Sequence, residues 1–314
     1  MLRTAFAAAL ALAAPPVLAE SWQPPAPEQR CPSKWGADDE RGAANHMSPA
    51  TVLRAAQFIR TGQVFELGRV LESNMPLFGT RRFEVHTKRT GPVMGSNKRR
   101  SNEELVITEL GQVGTQLDMF SHQTIGNLLY NCIDTDEIGT RNGFTKLGME
   151  KIGMLFTRGV LIDVAGLKGV RILPSGYEIT VADLQAALAR QKLTLQPGDA
   201  VLIHSGYGRL WGVDNVTYNK DTPGIGAPAA EWLAKQDVML IGADTFAVEV
   251  APNPDKTISM PVHQIALVVN GIFLLENLRL DELADANAWE FAFIMQPLKI
   301  KGGTGSTVAP VAVR

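Results

Sequence analysis

Apolar and polar positions along the chain follow two periods, and each period marks its own segments. Ser48-Pro49 supplies an N-cap with proline at the first helical position, and Val52, Leu53, Ala56, Phe58 and Ile59 give the next segment an apolar side. This predicts a helix that Thr61-Gly62 ends. Thr180, with Asp183 three residues on, opens a second helix carrying Leu184, Ala187 and Leu188. A third covers Ala229 to Lys235. Between them lie short apolar runs bounded by turn residues: Val64 to Leu67, Thr157 to Asp163, Ala200 to His204, Val238 to Asp244, Gly271 to Glu276 and, less cleanly, Glu290 to Met295. Such runs predict buried strands. Strands and helices mix without a clean βαβ repeat and without an internal repeat, so the pattern predicts a mixed α/β domain.

Polar stretches interrupt this pattern. Residues 80–103 carry Arg81, Arg82, Lys88, Arg89, Lys98, Arg99 and Arg100, and predict a solvated loop with a partial lid role toward an anionic substrate. Leu105 to Glu109 then reads as a strand. At the start of the chain, Arg3, an apolar run from Ala5 to Ala14 too short to span a bilayer, and small residues ending at Ala19 predict an export signal over residues 1–19. Residues 20–34 read as an extended, proline-containing arm, and residues 35–314 as the main domain. The expected product is exported, periplasmic or secreted, with no membrane association after cleavage. Export permits a disulfide, but whether Cys31 reaches Cys132 is open from sequence.

An apolar content of 45% is ample for a core, and a net charge of -2 excludes the basic surface that nucleic-acid binding needs. No Gly-x-Ser-x-Gly elbow and no cysteine signature points to a covalent nucleophile.

The chemistry concentrates in Gln112-Val-Gly-Thr-Gln-Leu-Asp-Met-Phe-Ser-His122. Gln112, Gln116, Asp118 and His122 all sit at even positions, so an extended segment would present them on one face. Gly114 and Thr115 disfavour a helix, and Leu117, Met119 and Phe120 would anchor the segment in a core. Asp118 can ligate a metal through oxygen; the glutamines offer only neutral amide oxygens. The same glutamines could instead hydrogen-bond a substrate or one another with no metal present. His122 can exchange protons near neutral pH. Glu276, a charge inside an apolar run, is costly to bury unless paired or metal-bound.

This stretch resembles the motif His-x-Gly-Thr-His-x-Asp-x-Pro-x-His of the cyclase family of metal-dependent amide hydrolases, which includes kynurenine formamidase (arylformamidase) and isatin hydrolase. Gly114, Thr115, Asp118 and His122 match; Gln112 and Gln116 stand in place of histidines, and Phe120 in place of proline. Trp35 to Asn45, Arg158 to Asp163, Pro197 to His204 and Gly271 to Leu278 extend the resemblance. It implies a swivelling β/β/α fold around a barrel-like mixed sheet. It implies a divalent metal, manganese or zinc, held by Asp118, His263 and Glu276 with Gln112 and Gln116 completing the shell, and His122 as general base. The replacement of imidazoles by amides shifts the set toward oxygen donors. The implied substrate is a small amide, formamide or cyclic amide, and the implied assembly a dimer or tetramer. A non-catalytic small-molecule binder on the same scaffold is the other reading. His46 is expected as a further lining residue, His86 as solvated and His204 as structural.

Overall fold

Four of the apolar runs become the parallel centre of one nine-stranded sheet in the computed structural model, which describes residues 21–314. The expected export signal lies outside the described residues. Leu155–Asp163, Ala200–His204, Leu240–Ala243 and Phe273–Glu276 run parallel in that order, and nearly every one of their positions is buried. Burial on both faces is why these strands read as continuous apolar runs rather than as alternation. Antiparallel strands extend both edges. Glu290–Met295, Val311–Val313 and Val64–Glu66 follow outward from Leu155–Asp163, and Gln116–Asp118 and Gly305–Thr307 follow outward from Phe273–Glu276.

Helices form where the caps predict them. Ser48 Oγ accepts the Thr51 N–H at 3.3 Å at the start of Pro49–Ala56. The Asp183 N–H donates to Thr180 Oγ1 at 3.2 Å, and the Asp183 carboxylate accepts the Thr180 N–H at 3.0 Å, closing the box that starts Val181–Gln191. A cap of this kind is worth about 1 kcal/mol. Leu184, Ala187 and Leu188 turn inward from this helix, which packs on the Leu155–Asp163 strand and on the helix Ala227–Lys235.

Two regions depart from expectation. The basic stretch is not a loop: Phe83–Met94 and Arg99–Thr108 pair as a long antiparallel ribbon, with Lys88 facing Glu103 and Val85 facing Val106. Lys88 and Glu103 pair across it at 3.7 Å, and both its faces are largely exposed, which is why the alternation of a half-buried strand is missing. The expected strand Leu105 to Glu109 is the returning end of this ribbon. The arm is not free either. Pro27–Arg30 forms a helical turn, Trp22 Nε1 donates to Glu231 at 3.0 Å, and Cys31 is bonded to Cys132 across 101 positions of sequence. Among the described residues no helix is long and apolar enough to cross a membrane.

Candidate active site

The motif is shaped by its Gly-Thr turn. Gly114 has φ +64, which strains a residue with a Cβ, and a Cβ there would also push Leu71 Cδ2 aside from 2.2 Å, so glycine suits the position. The turn is clamped to the neighbouring strand's end: Asn277 Nδ2 donates to Gly114 O at 2.8 Å and Thr115 Oγ1 donates to Asn277 O at 2.8 Å. This sets the register in which Gln116 lies opposite Glu276. Only Gln116–Asp118 is strand; the His122 N–H then donates to Met119 O at 2.9 Å, and this turn folds the imidazole back toward Asp118. Phe120 fills the core beneath, 4.6 Å from the Phe273 ring and 4.8 Å from Tyr130 between centroids.

His263 arrives from the opposite side, at the end of the short helix Pro261–His263 that runs on into a π-helical turn. Glu249, fully buried, holds it there. One carboxylate oxygen of Glu249 accepts the His263 N–H at 3.0 Å and faces Nδ1 at 2.5 Å, while the other accepts the Val262 N–H at 3.1 Å.

All six residues expected from sequence converge here. Asp118 Oδ2 is 3.6 Å from His263 Nε2 and 3.9 Å from His122 Nε2, and His263 Nε2 is 3.3 Å from Glu276 Oε1. Gln116 Nε2 donates to Glu276 Oε2 at 2.9 Å and to Gln112 Oε1 at 3.3 Å. Gln112 Nε2 lies 3.4 Å from Asp118 Oδ1 and 3.3 Å from His122 Nδ1.

The residues fit a divalent ion on two observations. Asp118 Oδ2 is buried and has no hydrogen-bond partner, a costly state for a carboxylate oxygen. His263 Nε2 stands between two carboxylates, 3.6 Å from that Asp118 oxygen and 3.3 Å from Glu276 Oε1. The electrostatics agree. Burial works against charge on His263, but Glu249 and Glu276 outweigh it and hold the ring protonated well above the usual histidine range. Burial and then the nearby Asp118 push Glu276 up to about 7, with His263 pulling the other way. The cluster thus carries a proton where a cation would neutralise it, and metal binding would release that proton. Burial lowers the His122 pKa, against the opposing pull of Asp118, so this ring stays neutral at neutral pH.

A cavity of about 580 Å³ opens above these groups. Phe78 and Phe246 stack along it at 5.2 Å, and Arg81 stands 5.8 Å over the Phe78 ring. Lys220 and Gln123 also line it.

The Cyclase family model (Putative cyclase) matches residues 65–250. The chain belongs to the cyclase family. A crystal structure described as that of a novel cyclase is 35% identical, with TM-score 0.80 over 90% of this chain and 98% of its own. The likeness reaches, in fold, isatin hydrolase A from Ralstonia solanacearum, 21% identical, TM-score 0.57, over 85% of this chain and 97% of that one. It also reaches an isatin hydrolase bound to the product analogue thioisatinate, 21% identical, TM-score 0.59, over 85% and 98%. No curated protein matches the chain. The mixed α/β architecture with its single large sheet is therefore the cyclase fold expected from the motif.

Within this cyclase, Glu249 and Phe78 escaped the sequence reading, and Arg81 was legible only as one cation of the basic stretch. Glu249 sits between Val248 and Val250, the same signal of a charge in an apolar run that exposed Glu276. Arg81 and Phe78 precede the ribbon, and only the fold brings them to the cavity. His46 is not a lining residue: its ring packs edge-on against Trp35 at 4.9 Å, outside the cavity. His86 is exposed beside Glu84. His204 is buried between Asp163 at 2.8 Å and Asp281 at 3.3 Å.

Proposed function

We propose that this cyclase is a metal-dependent hydrolase of a small amide, formamide or cyclic amide, such as an N-formylkynurenine-like or isatin-like compound. The observation that carries the reading is the partnerless, buried Asp118 Oδ2, set against two imidazoles on the floor of an aromatic-walled cavity. Asp118, His263 and Glu276 would hold a divalent ion, manganese or zinc, which when bound polarises a carbonyl and acidifies water. Glu249 fixes the His263 ring by taking its Nδ1–H, the usual device for presenting the other nitrogen. The Phe78–Phe246 pair offers a stacking wall for an aromatic ring, and Arg81 offers a cation for the carboxylate that hydrolysis of a cyclic amide releases. His122 faces the same space as a neutral ring and acts at the reacting carbonyl.

The reading extends to the setting. The Cys31–Cys132 bond supports an exported protein in an oxidising compartment. The exposed ribbon, with Val85, Leu105 and Val106 on its surface, supports self-association as a dimer or tetramer, since a lone two-stranded ribbon is marginal in water.

The test is turnover of N-formylkynurenine, isatin and related amides with manganese or zinc supplied. Hydrolysis lost in His122→Ala is the expected result; no turnover of any of them by the wild type overturns the proposal. The amide groups of Gln112 and Gln116 favour a second reading, a binder that has lost two ligating imidazoles. Protein purified without chelators that carries a bound small molecule and no metal would establish it.

A further inference from the structure

The orientation of one amide decides what His122 can do. Gln112 Oε1 accepts from Arg81 Nη2 at 3.2 Å and from Gln116 Nε2 at 3.3 Å, so both of its lone pairs are used by groups that can only donate. Turning the amide over would set its NH2 against a guanidinium and a second NH2, and its oxygen against the Asp118 carboxylate. The observed orientation is therefore fixed by charge. It aims the two Gln112 N–H groups at two acceptors, Asp118 Oδ1 at 3.4 Å and His122 Nδ1 at 3.3 Å.

A neutral imidazole that accepts at Nδ1 carries its proton on Nε2. His122 Nε2 is 3.9 Å from Asp118 Oδ2, too far for a hydrogen bond, and the ring lines the cavity. His263 is arranged the opposite way, because its Nδ1 faces Glu249, an acceptor. The two imidazoles at this site thus both turn Nε2 inward, with opposite roles: His263, its Nδ1–H held by Glu249, offers a nitrogen that ligates once a metal displaces its proton, and His122 offers an N–H.

We infer that Gln112 is a positioning residue that fixes His122 as a neutral N–H donor, so that His122 hydrogen-bonds the carbonyl oxygen of the substrate rather than taking a proton from water. The inference rests on the hydrolase reading, and it replaces the general-base role expected from the motif. A general base needs a lone pair on the nitrogen facing the cavity, and Gln112 denies it one. A histidine or carboxylate at position 112 would lack this constraint. The amide standing where the family motif has histidine therefore changes the sense in which the site works. Neutral imidazole as an electrophilic donor to a developing oxyanion is an established use of the residue.

The experiment uses the full zinc-loaded protein and reads the tautomer directly, by long-range proton–nitrogen correlation of the His122 ring. Wild type is expected to show the proton on Nε2. Gln112→Glu offers Nδ1 an acceptor and should move the proton to Nδ1. The same variant should lose about 10²–10³-fold in kcat, as removal of one oxyanion donor does, with KM changed less. Gln112→Met, which can neither donate nor accept, should show a mixture and an intermediate kcat, and it covers the case in which the added charge of Glu unfolds the site. A proton on Nδ1 in the wild type, or a kcat that rises in Gln112→Glu, overturns the inference and restores His122 as a base. Absence of hydrolysis with the proton on Nε2 would instead sink the hydrolase reading on which the catalytic role rests.

Discussion

Two histidine–carboxylate clusters lie at the carboxyl ends of the central strands, and they differ in whether their buried carboxylate oxygens are satisfied. His204 joins Asp163, Asp244 and Asp281; its two ring nitrogens face Asp163 and Asp281, and Arg209 Nε stands 3.1 Å from Asp281. Asp244 takes the Ser205 N–H and Oγ–H and the Gly208 N–H. His263 joins Asp118, His122 and Glu276, where one carboxylate oxygen has no partner and a cavity opens above. Both clusters have the residue types and spacing of a metal site. Only the second leaves an acceptor unfilled with space before it. Composition of a cluster is thus a weaker sign of function than the accounting of its hydrogen bonds.

The largest effect expected from breaking this contrast is in Asp118→Asn. Hydrolysis should fall to background and bound metal should disappear, while the melting temperature of the metal-free protein holds or rises. The substitution removes a buried carboxylate whose Oδ2 has no hydrogen-bond partner and relieves Glu276, whose pKa Asp118 helps to raise. Trading function for a satisfied core is a common outcome at such sites. Metal analysis beside a melting curve checks both halves. A variant that keeps its metal, or unfolds, would show the site to be as structural as the other cluster.

The second is the mirror experiment. His204→Ala leaves Asp163 and Asp281 facing each other without their shared cation, and should cost about 3–5 kcal/mol in urea unfolding. The folded fraction should retain its metal and its turnover. Loss of metal from well-folded His204→Ala would join the two clusters into one functional unit.

A third, smaller effect is expected in Glu249→Gln. The carboxylate both takes the His263 Nδ1–H and caps two backbone N–H groups. The amide keeps the size but weakens these bonds, and metal affinity should drop by about 10–100-fold. Isothermal titration with zinc and manganese reads it. Unchanged affinity would mean that His263 needs no support from behind.

How far the sequence reached follows the same physics. The central strands were legible because burial on both faces makes Leu155–Asp163 and its neighbours uniformly apolar, and the helices because Ser48 and Thr180 cap them. Glu276 was legible as a charge inside such a run, and Glu249 carried the same mark. The ribbon was not legible, since both its faces are exposed and its run of charged residues imitates a solvated loop. The glutamines could be located from their spacing, but their role could not be read. What orients Gln112 is Arg81, 31 positions earlier, and nothing short of the fold brings them together. The disulfide likewise needed Cα atoms 6.0 Å apart, not merely two cysteines.

The finest distinction between the clusters is in their response to pH. His204 is driven down by burial and up by Asp163 and Asp281, and the carboxylates win, raising it from 6.5 to about 10. A raised folded-state pKa stabilises the fold fully below pH 6.5, and this contribution is lost as pH rises through about 10. Glu276 acts in the same direction over a lower window. Its pKa is raised from 4.5 to about 7, chiefly by burial, so the metal-free fold favours its protonated form and loses stability as pH climbs across that interval. Above about pH 8 the Glu276 contribution has levelled off, and the remaining alkaline decline is shared by His204 and by His263, which is also held protonated well above the usual histidine range. Between pH 7.5 and 9 one proton's linkage amounts to about 1.4 kcal/mol per pH unit. Urea unfolding of the metal-free protein should show that slope in the wild type and in His122→Ala. In His204→Gln it should fall to the part that His263 supplies, the starting stability being lower. An undiminished slope in His204→Gln would show that the filled cluster holds no alkaline-sensitive proton and dissolve the distinction between a filled cluster and an open one.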